Sequence, residues 1–248
     1  MMKRLMQLID KHPVLVFLDF EGTQISHEMI ALGAVLVTLK KDGHIKKIHK
    51  GYKRYVIAHE KIGSYVEKLT GIKSDLLLKE GVTYKSALEE LKKYIGKNYK
   101  KAAFITFGSH DIRILHQSLH FSSDADGEIV HFIDHNHIDF SDILSEYVKD
   151  EKNNPLSLAN YCLKFGVEFE GTPHDPYFDA LNLAYLYEAS LSKPDILYHE
   201  YLSVLSHMRH LPVPIQKTIS KLVNNTDVSA SDFGHIVEDY IKAGVDRK

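Results

Sequence analysis

The stretch VLVFLDFEGT, Val14 to Thr23, runs through a short apolar core and then stops in two acids separated by one phenylalanine. An apolar run this short, bounded by polar residues, reads as a buried strand. Residues i and i+2 of a strand share a face, so Asp19 and Glu21 stand together, roughly 6–7 Å apart at the backbone, while Phe20 points away. Two anions side by side at the end of a buried strand repel each other. A hard divalent cation relieves that repulsion, and carboxylate oxygens are the ligands Mg²⁺ or Mn²⁺ prefers. Taken alone, "DFE" reads equally well as a solvated strand end.

Outward from this strand the pattern is α/β. Met29 to Gly43 reads as a second strand with a turn at its end, and HIKKIHKGYKRYVI (His44 to Ile57) as a third, giving an antiparallel meander. Helical signals follow in HEKIGSYVEKLTGI and in TYKSALEELKKYIGK, where Thr83 is the expected cap and Ala87, Leu88, Leu91 and Ile95 form the apolar stripe. KAAFITFG (101–108) reads as the fourth strand and EIVHFIDH (128–135) as the fifth. Helices are expected near Ser109, over Phe140 to Val148, in PLSLANYCLKFG, and from Pro176 to about Ser190. Beyond Lys193-Pro194 the pattern changes to three helices, so the chain divides into an α/β domain, 1–193, and a C-terminal helical extension, 194–248.

A chain of 248 residues with 44% hydrophobic and 26% charged residues reads as an ordinary soluble globular protein. No apolar run reaches the roughly 18 residues of a membrane span, and the N-terminus lacks the apolar region and cleavage site of a signal peptide. The single cysteine, Cys162, cannot form an internal disulfide, which suits a cytoplasmic setting. A net charge of −2 excludes a protein that coats nucleic acid through bulk positive charge. It leaves room for an enzyme that meets phosphate through metal ions.

Two acids cannot fill the oxygen shells of two such ions, so further carboxylates must converge. Asp111, in ITFGSHDIRIL, follows an apolar strand and opens a helix, where an acid is also favoured by the helix dipole alone. In GTPHDPYFDALNLAYLY, Asp175-Pro176 makes a helix N-cap and first position, which puts His174 just outside the helix and Asp179 one turn inside. A competing reading takes DFEGT as the first motif of a haloacid-dehalogenase-type phosphatase, with Asp19 as nucleophile. Glu21 then stands where that family has Asp, and no Gly-Asp motif follows.

In order and spacing, Asp19-x-Glu21, Asp111 and His174-x4-Asp179 resemble the DEDDh group of 3′–5′ exonucleases, the family of proofreading subunits and RNA-trimming enzymes. KLTGI with EGVTYKSALEEL, SLANYCLKFGVEFEGTPH and DALNLAYLY are similar to connecting segments of that family, over roughly Val14 to Leu191. The resemblance implies an RNase H-like mixed five-stranded sheet flanked by helices. It implies two Mg²⁺ or Mn²⁺ ions on Asp19, Glu21, Asp111 and Asp179, with His174 as general base. It further implies stepwise release of nucleoside 5′-monophosphates from single-stranded RNA or DNA 3′ ends, with RNA somewhat favoured. Gly22 and Thr23 follow directly on the metal strand and are expected to contact the terminal nucleotide. A non-catalytic nucleic-acid or partner-binding module of the same fold stays open as an alternative, as does the oligomeric state, a homodimer included.

Overall fold

The structure is a computed structural model and describes residues 2–208 and 210–245. After helix α1 (Lys3–Ile9), strands β1 (Val14–Gly22), β2 (Met29–Leu39), β3 (Ile45–Ile48) and β4 (Tyr52–Tyr55) follow closely on one another. Helices α2 (Ser64–Thr70), α3 (Ser74–Glu80) and α4 (Tyr84–Ile95) lead through a 3₁₀ turn into β5 (Ala102–Thr106). Then come α5 (His110–Phe121), α6 (Gly127–His135), β6 (His137–Asp139), α7 (Phe140–Ser145), α8 (Leu158–Lys164) and α9 (Pro176–Ser192). Helices α10 (Pro194–Ser206), α11 (Val213–Val223) and α12 (Ala230–Val245) close the described chain.

The sheet is mixed. β1 pairs antiparallel with β2 and parallel with β5, and β5 pairs parallel with β6. β3 and β4 both pair antiparallel with β2, on Val37–Leu39 and Ala31–Ala34 respectively. Since β1 already occupies the other edge of β2, the two short strands share one outer lane. Six strands thus fill five lanes, and the expected single third strand is interrupted between Ile48 and Tyr52. At the break a Cβ on Gly51 would lie 2.0 Å from the Tyr177 ring, so that ring rests on the bare backbone.

Alternation along β1 sorts its side chains onto two faces. Val14, Val16, Leu18 and Phe20 join the core built with Ala87, Leu88 and Leu91 of α4, Ile114 and Leu115 of α5, and Ile129, Val130 and Ile133 of α6. Phe17 points the other way and meets Tyr187 of α9 edge-on, with ring centroids 5.6 Å apart. Thr83 caps α4 as expected, its side chain accepting from the Ser86 N–H. One expectation is overturned: EIVHFIDH is helix α6, not a strand. Its apolar residues fall at 129, 130, 132 and 133, a spacing that a helix stripe uses as well, and the Asp126 side chain caps the Glu128 N–H. The strand that joins β5 is the three-residue β6 directly after it.

The chain forms two compact units. One runs to Ile143 and resumes over Ser157–Ser192; the other combines Leu144–Leu156 with the residues after Ser192. Within the second, α11 packs against both α10 and α12, and Tyr147 meets Tyr201 with ring centroids 5.4 Å apart.

Candidate active site

The site forms where β1 outruns its parallel neighbour. β5 pairs only with Val14–Phe17, so the last residues of β1 have no strand on that side. There the Phe20 N–H donates to Asp111 Oδ1 at 2.7 Å, and Asp111, in the first turn of α5, is 5% exposed. On the antiparallel side Asp19 stands opposite Gly33 and Glu21 opposite Ala31, so these small residues share the acids' face. A Cβ on Gly33 would come within 1.9 Å of the Pro176 carbonyl oxygen. The missing side chain admits the N-terminus of α9, and with it Asp179, beside Asp19.

The segment entering α9 is tied down on its way. Asn182, fully buried, accepts from the Glu170 N–H at 2.9 Å and donates to the Glu170 and Phe178 carbonyls. His174 lies in the left-handed region with φ of 66°, and its N–H donates to Asp179 Oδ2 at 3.0 Å. Its Nδ1 is 3.8 Å from Glu21 Oε1. Asp175 serves as the expected cap, with Oδ1 accepting the Tyr177 N–H at 3.1 Å. Candidate ligand atoms of Glu21, His174 and Asp179 lie within 4.8 Å of one another.

Burial first, and then mutual repulsion, pushes these carboxyls up. Asp19 lies well above the usual carboxylate range, held there by burial and by Asp111, Asp179 and Glu21. Glu21 is pushed up to about 8 by burial, Asp179 and Asp111. Asp111 reaches about 7, where burial outweighs the Phe20 N–H, and Asp179 about 6, where burial outweighs the His174 N–H. Asp19 Oδ2 and Asp179 Oδ1 are buried with no hydrogen-bond partner. Glu28, 4% exposed, offers the contrast. Burial raises it too, yet the His59 and Glu60 N–H groups and the Ser26 hydroxyl bring it below the ordinary value. Asp111 and Asp179 each receive one backbone N–H that burial outweighs, Asp19 Oδ2 and Asp179 Oδ1 receive none, and a hard divalent cation is the partner these oxygens fit.

The cation-free protein should therefore lose stability as pH rises. An acid whose folded pKa lies above its unfolded value stabilises the fold below the unfolded pKa and ceases to as pH climbs through the folded one. For Glu21 that window runs from 4.5 to about 8, for Asp111 from 3.8 to about 7, and for Asp179 from 3.8 to about 6. Thermal melts in EDTA should show the midpoint falling across this range. Added Mg²⁺ should raise the midpoint more at pH 8 than at pH 5.5. A melting temperature flat in EDTA would contradict the account.

The structure thus brings Asp19, Glu21, Asp111, His174 and Asp179 together at one end of the sheet. Gly22 borders them and packs against Ile114, its built Cβ 3.0 Å from that side chain. Thr23 is 2% exposed and turned into its own loop: its hydroxyl is 2.8 Å from Ser26 Oγ and accepts the Glu28 N–H at 2.9 Å. Two residues escape sequence reasoning. Asp139 Oδ1 accepts the Gly108 N–H at 2.9 Å, shaping the turn into α5, and its charge is among those raising Asp111. Lys53 of β4 forms a 2.7 Å ion pair with Asp175.

No protein-family model matches the chain, and no curated protein matches it. Its fold matches solved structures. A full-length 3′-exonuclease superposes with a TM-score of 0.60 at 18% identity, over 74% of this chain and 62% of that one. The nuclease domain of 3′hExo, described as a DEDDh family member bound to rAMP, gives 0.60 at 19% identity, over 73% and 93% of the two chains. Exonuclease I of E. coli, in complex with a dT13 oligonucleotide, gives 0.57 at 13% identity, over 77% and 44%. The chain shares the fold of these solved exonucleases, a mixed sheet flanked by helices. At these identities the likeness speaks for the architecture, and the chain spans less than two thirds of several of the proteins it matches.

Proposed function

We propose that the chain is a metal-dependent DEDDh 3′–5′ exonuclease that releases nucleoside 5′-monophosphates from single-stranded 3′ ends, with RNA favoured over DNA. The observation that carries this reading is the set of four acids, Asp111 and Asp179 buried and Asp19 and Glu21 partly so, two of them with unpartnered oxygens, beside a half-exposed histidine at the end of β1. Asp19, Glu21, Asp111 and Asp179 would hold two Mg²⁺ or Mn²⁺ ions, which when bound stabilise the charge on the scissile phosphate and on the departing 3′ oxygen. His174 takes the proton of the attacking water at Nε2, the ring nitrogen away from Glu21, and its half-exposed ring can pass that proton on to solvent. Asp179 holds the His174 backbone through its N–H, so ligand and base are fixed by one carboxylate.

Gly22 and Thr23 contribute the backbone edge against which the terminal nucleotide lies, and the buried Thr23 hydroxyl keeps that edge in shape. RNA is favoured because two matched structures carry rAMP or concern a histone mRNA stem-loop, although exonuclease I was solved with DNA oligonucleotides. Residues 194–248 are an appendage on this reading. Among the described residues no helix is long and apolar enough to cross a membrane, and a reducing cytoplasm would suit the buried, free Cys162. The phosphatase alternative rests on DFEGT alone, and Glu21 stands where that family has Asp.

The test uses 5′-labelled single-stranded RNA and matched DNA with Mn²⁺, beside EDTA and Asp179→Ala controls. The expected result is a one-nucleotide ladder receding from the 3′ end, absent in both controls and faster on RNA. Intact oligonucleotides that are nevertheless bound would establish the non-catalytic module instead.

A further inference from the structure

We infer that Lys53 is a positioning residue for His174, acting through Asp175. The inference rests on the nuclease reading for its kinetic consequence and on geometry alone for its structural one. Asp19 pairs with Gly33 in register, and Gly33 with Lys53, so the three residues form one row across β1, β2 and β4. Residues in one row share a face, which puts the lysine on the side that carries the acids. Its ammonium lies 2.7 Å from Asp175 Oδ2 and 5.1 Å from the centre of the Tyr55 ring, so the charged end has two partners.

Asp175 spends its two oxygens differently. Oδ1 caps α9 through the Tyr177 N–H, and Oδ2 is bound to the sheet through Lys53. His174 sits between that anchor and its own N–H bond to Asp179, in a left-handed backbone that a residue with a side chain adopts only when its surroundings impose it. The body of α9 is located by other contacts: the Gly33 backbone under Pro176, the Tyr177 ring on Gly51 and the Phe17–Tyr187 pair. Losing the ammonium therefore leaves the helix docked and frees the short turn that carries the imidazole. Lys53 is also the one cation among the leading influences on Glu21, where it opposes the surrounding acids.

The ion pair is only about a quarter exposed on each side, so Lys53→Met, which leaves the Asp175 carboxylate without its cation, should lower the melting temperature, and Lys53→Arg should restore it. With cation-loaded enzyme and a labelled single-stranded oligonucleotide, Lys53→Met should lower kcat by about 10- to 100-fold, the scale of a misplaced catalytic group. KM should stay within about twofold, and Lys53→Arg should recover most of the rate, because a guanidinium also pairs with a carboxylate. In a His174→Ala background, Lys53→Met should cost nothing further, since the two act as one unit. An equal loss in both backgrounds, or a rise in KM with kcat intact, would overturn the inference and make Lys53 a phosphate contact.

A second readout does not depend on cleavage. In protein labelled with ¹³C-histidine, the His174 Cε1–H signal, assigned by its disappearance in His174→Ala, should shift toward a solvent-averaged position in Lys53→Met. It should return in Lys53→Arg. An unmoved signal overturns the inference even if the enzyme cleaves as proposed. A moved signal in a protein that cleaves nothing upholds the tether and removes the nuclease reading instead.

Discussion

Asp19→Asn should abolish 3′-terminal cleavage, by roughly a thousandfold or more, the scale of several kcal/mol of lost charge stabilisation. The same substitution should make the cation-free protein more stable near neutral pH. Both effects have one origin. The Asp19 carboxyl has a buried oxygen without a partner and faces four further acids, so ionising it in the folded chain is costly. Asparagine keeps the shape, removes the charge and supplies an amide donor to the acids around it. Because the folded pKa of Asp19 is raised, the native group costs stability once pH exceeds its ordinary value, and asparagine escapes that cost. Nuclease assays with Mg²⁺ and melts in EDTA at pH 7.5 read the two effects separately. A variant that cleaves within tenfold of the native rate, or melts lower in EDTA, would refute the account.

Gly33→Ala should be nearly as damaging although residue 33 bears no chemistry. Its new methyl would sit 1.9 Å from the Pro176 oxygen and 2.0 Å from the Pro176 carbonyl carbon. Both are backbone atoms, so no rotamer change relieves the clash and the start of α9 must back away from the sheet. That moves Asp179 and His174 together, away from Asp19 and Glu21. A displacement on the order of 1 Å is enough for about a hundredfold loss in kcat/KM. Overpacking of this kind also destabilises by about 1–3 kcal/mol. Urea unfolding and steady-state kinetics check both numbers, and near-native turnover would show that the helix does not need this approach.

Asp19, Glu21 and Asp179 were placed by local rules, whereas Asp111, an ordinary helix-start acid by itself, joined them only through the resemblance. Asp19 and Glu21 share a face by strand alternation, and Asp175-Pro176 announces the helix that places Asp179 one turn in. What escaped is set by pairing across the sheet or by competition between equal signals. In α6, β-branched Ile129, Val130 and Ile133 favoured a strand until the Asp126 cap decided otherwise. The three residues of β6 are too few to show any period, so Asp139, which ends it, gave no sign of its place beside Asp111. Lys53 reaches the site only through the Asp19–Gly33–Lys53 row, and a row depends on register, which no single segment contains. Thr23 lies next to the site, yet whether its hydroxyl faces out or in depends on Ser26 and Glu28 folding back over it.

The interruption of the outer lane at Gly51 has a consequence for how copies of this chain meet. An unbroken edge of a sheet offers a row of free N–H and C=O groups on which another chain can add a strand. Here the edge is cut into two segments of four residues each, β3 and β4, with Lys46 and Lys47 exposed on the first and Arg54 on the second. Both pieces are short, and the exposed Lys46 and Lys47 of the first disfavour the addition of another strand, while Arg54 on the second pairs with Glu90. The gap that seats Tyr177 against the sheet thus also leaves that edge without a long run of unpaired backbone groups.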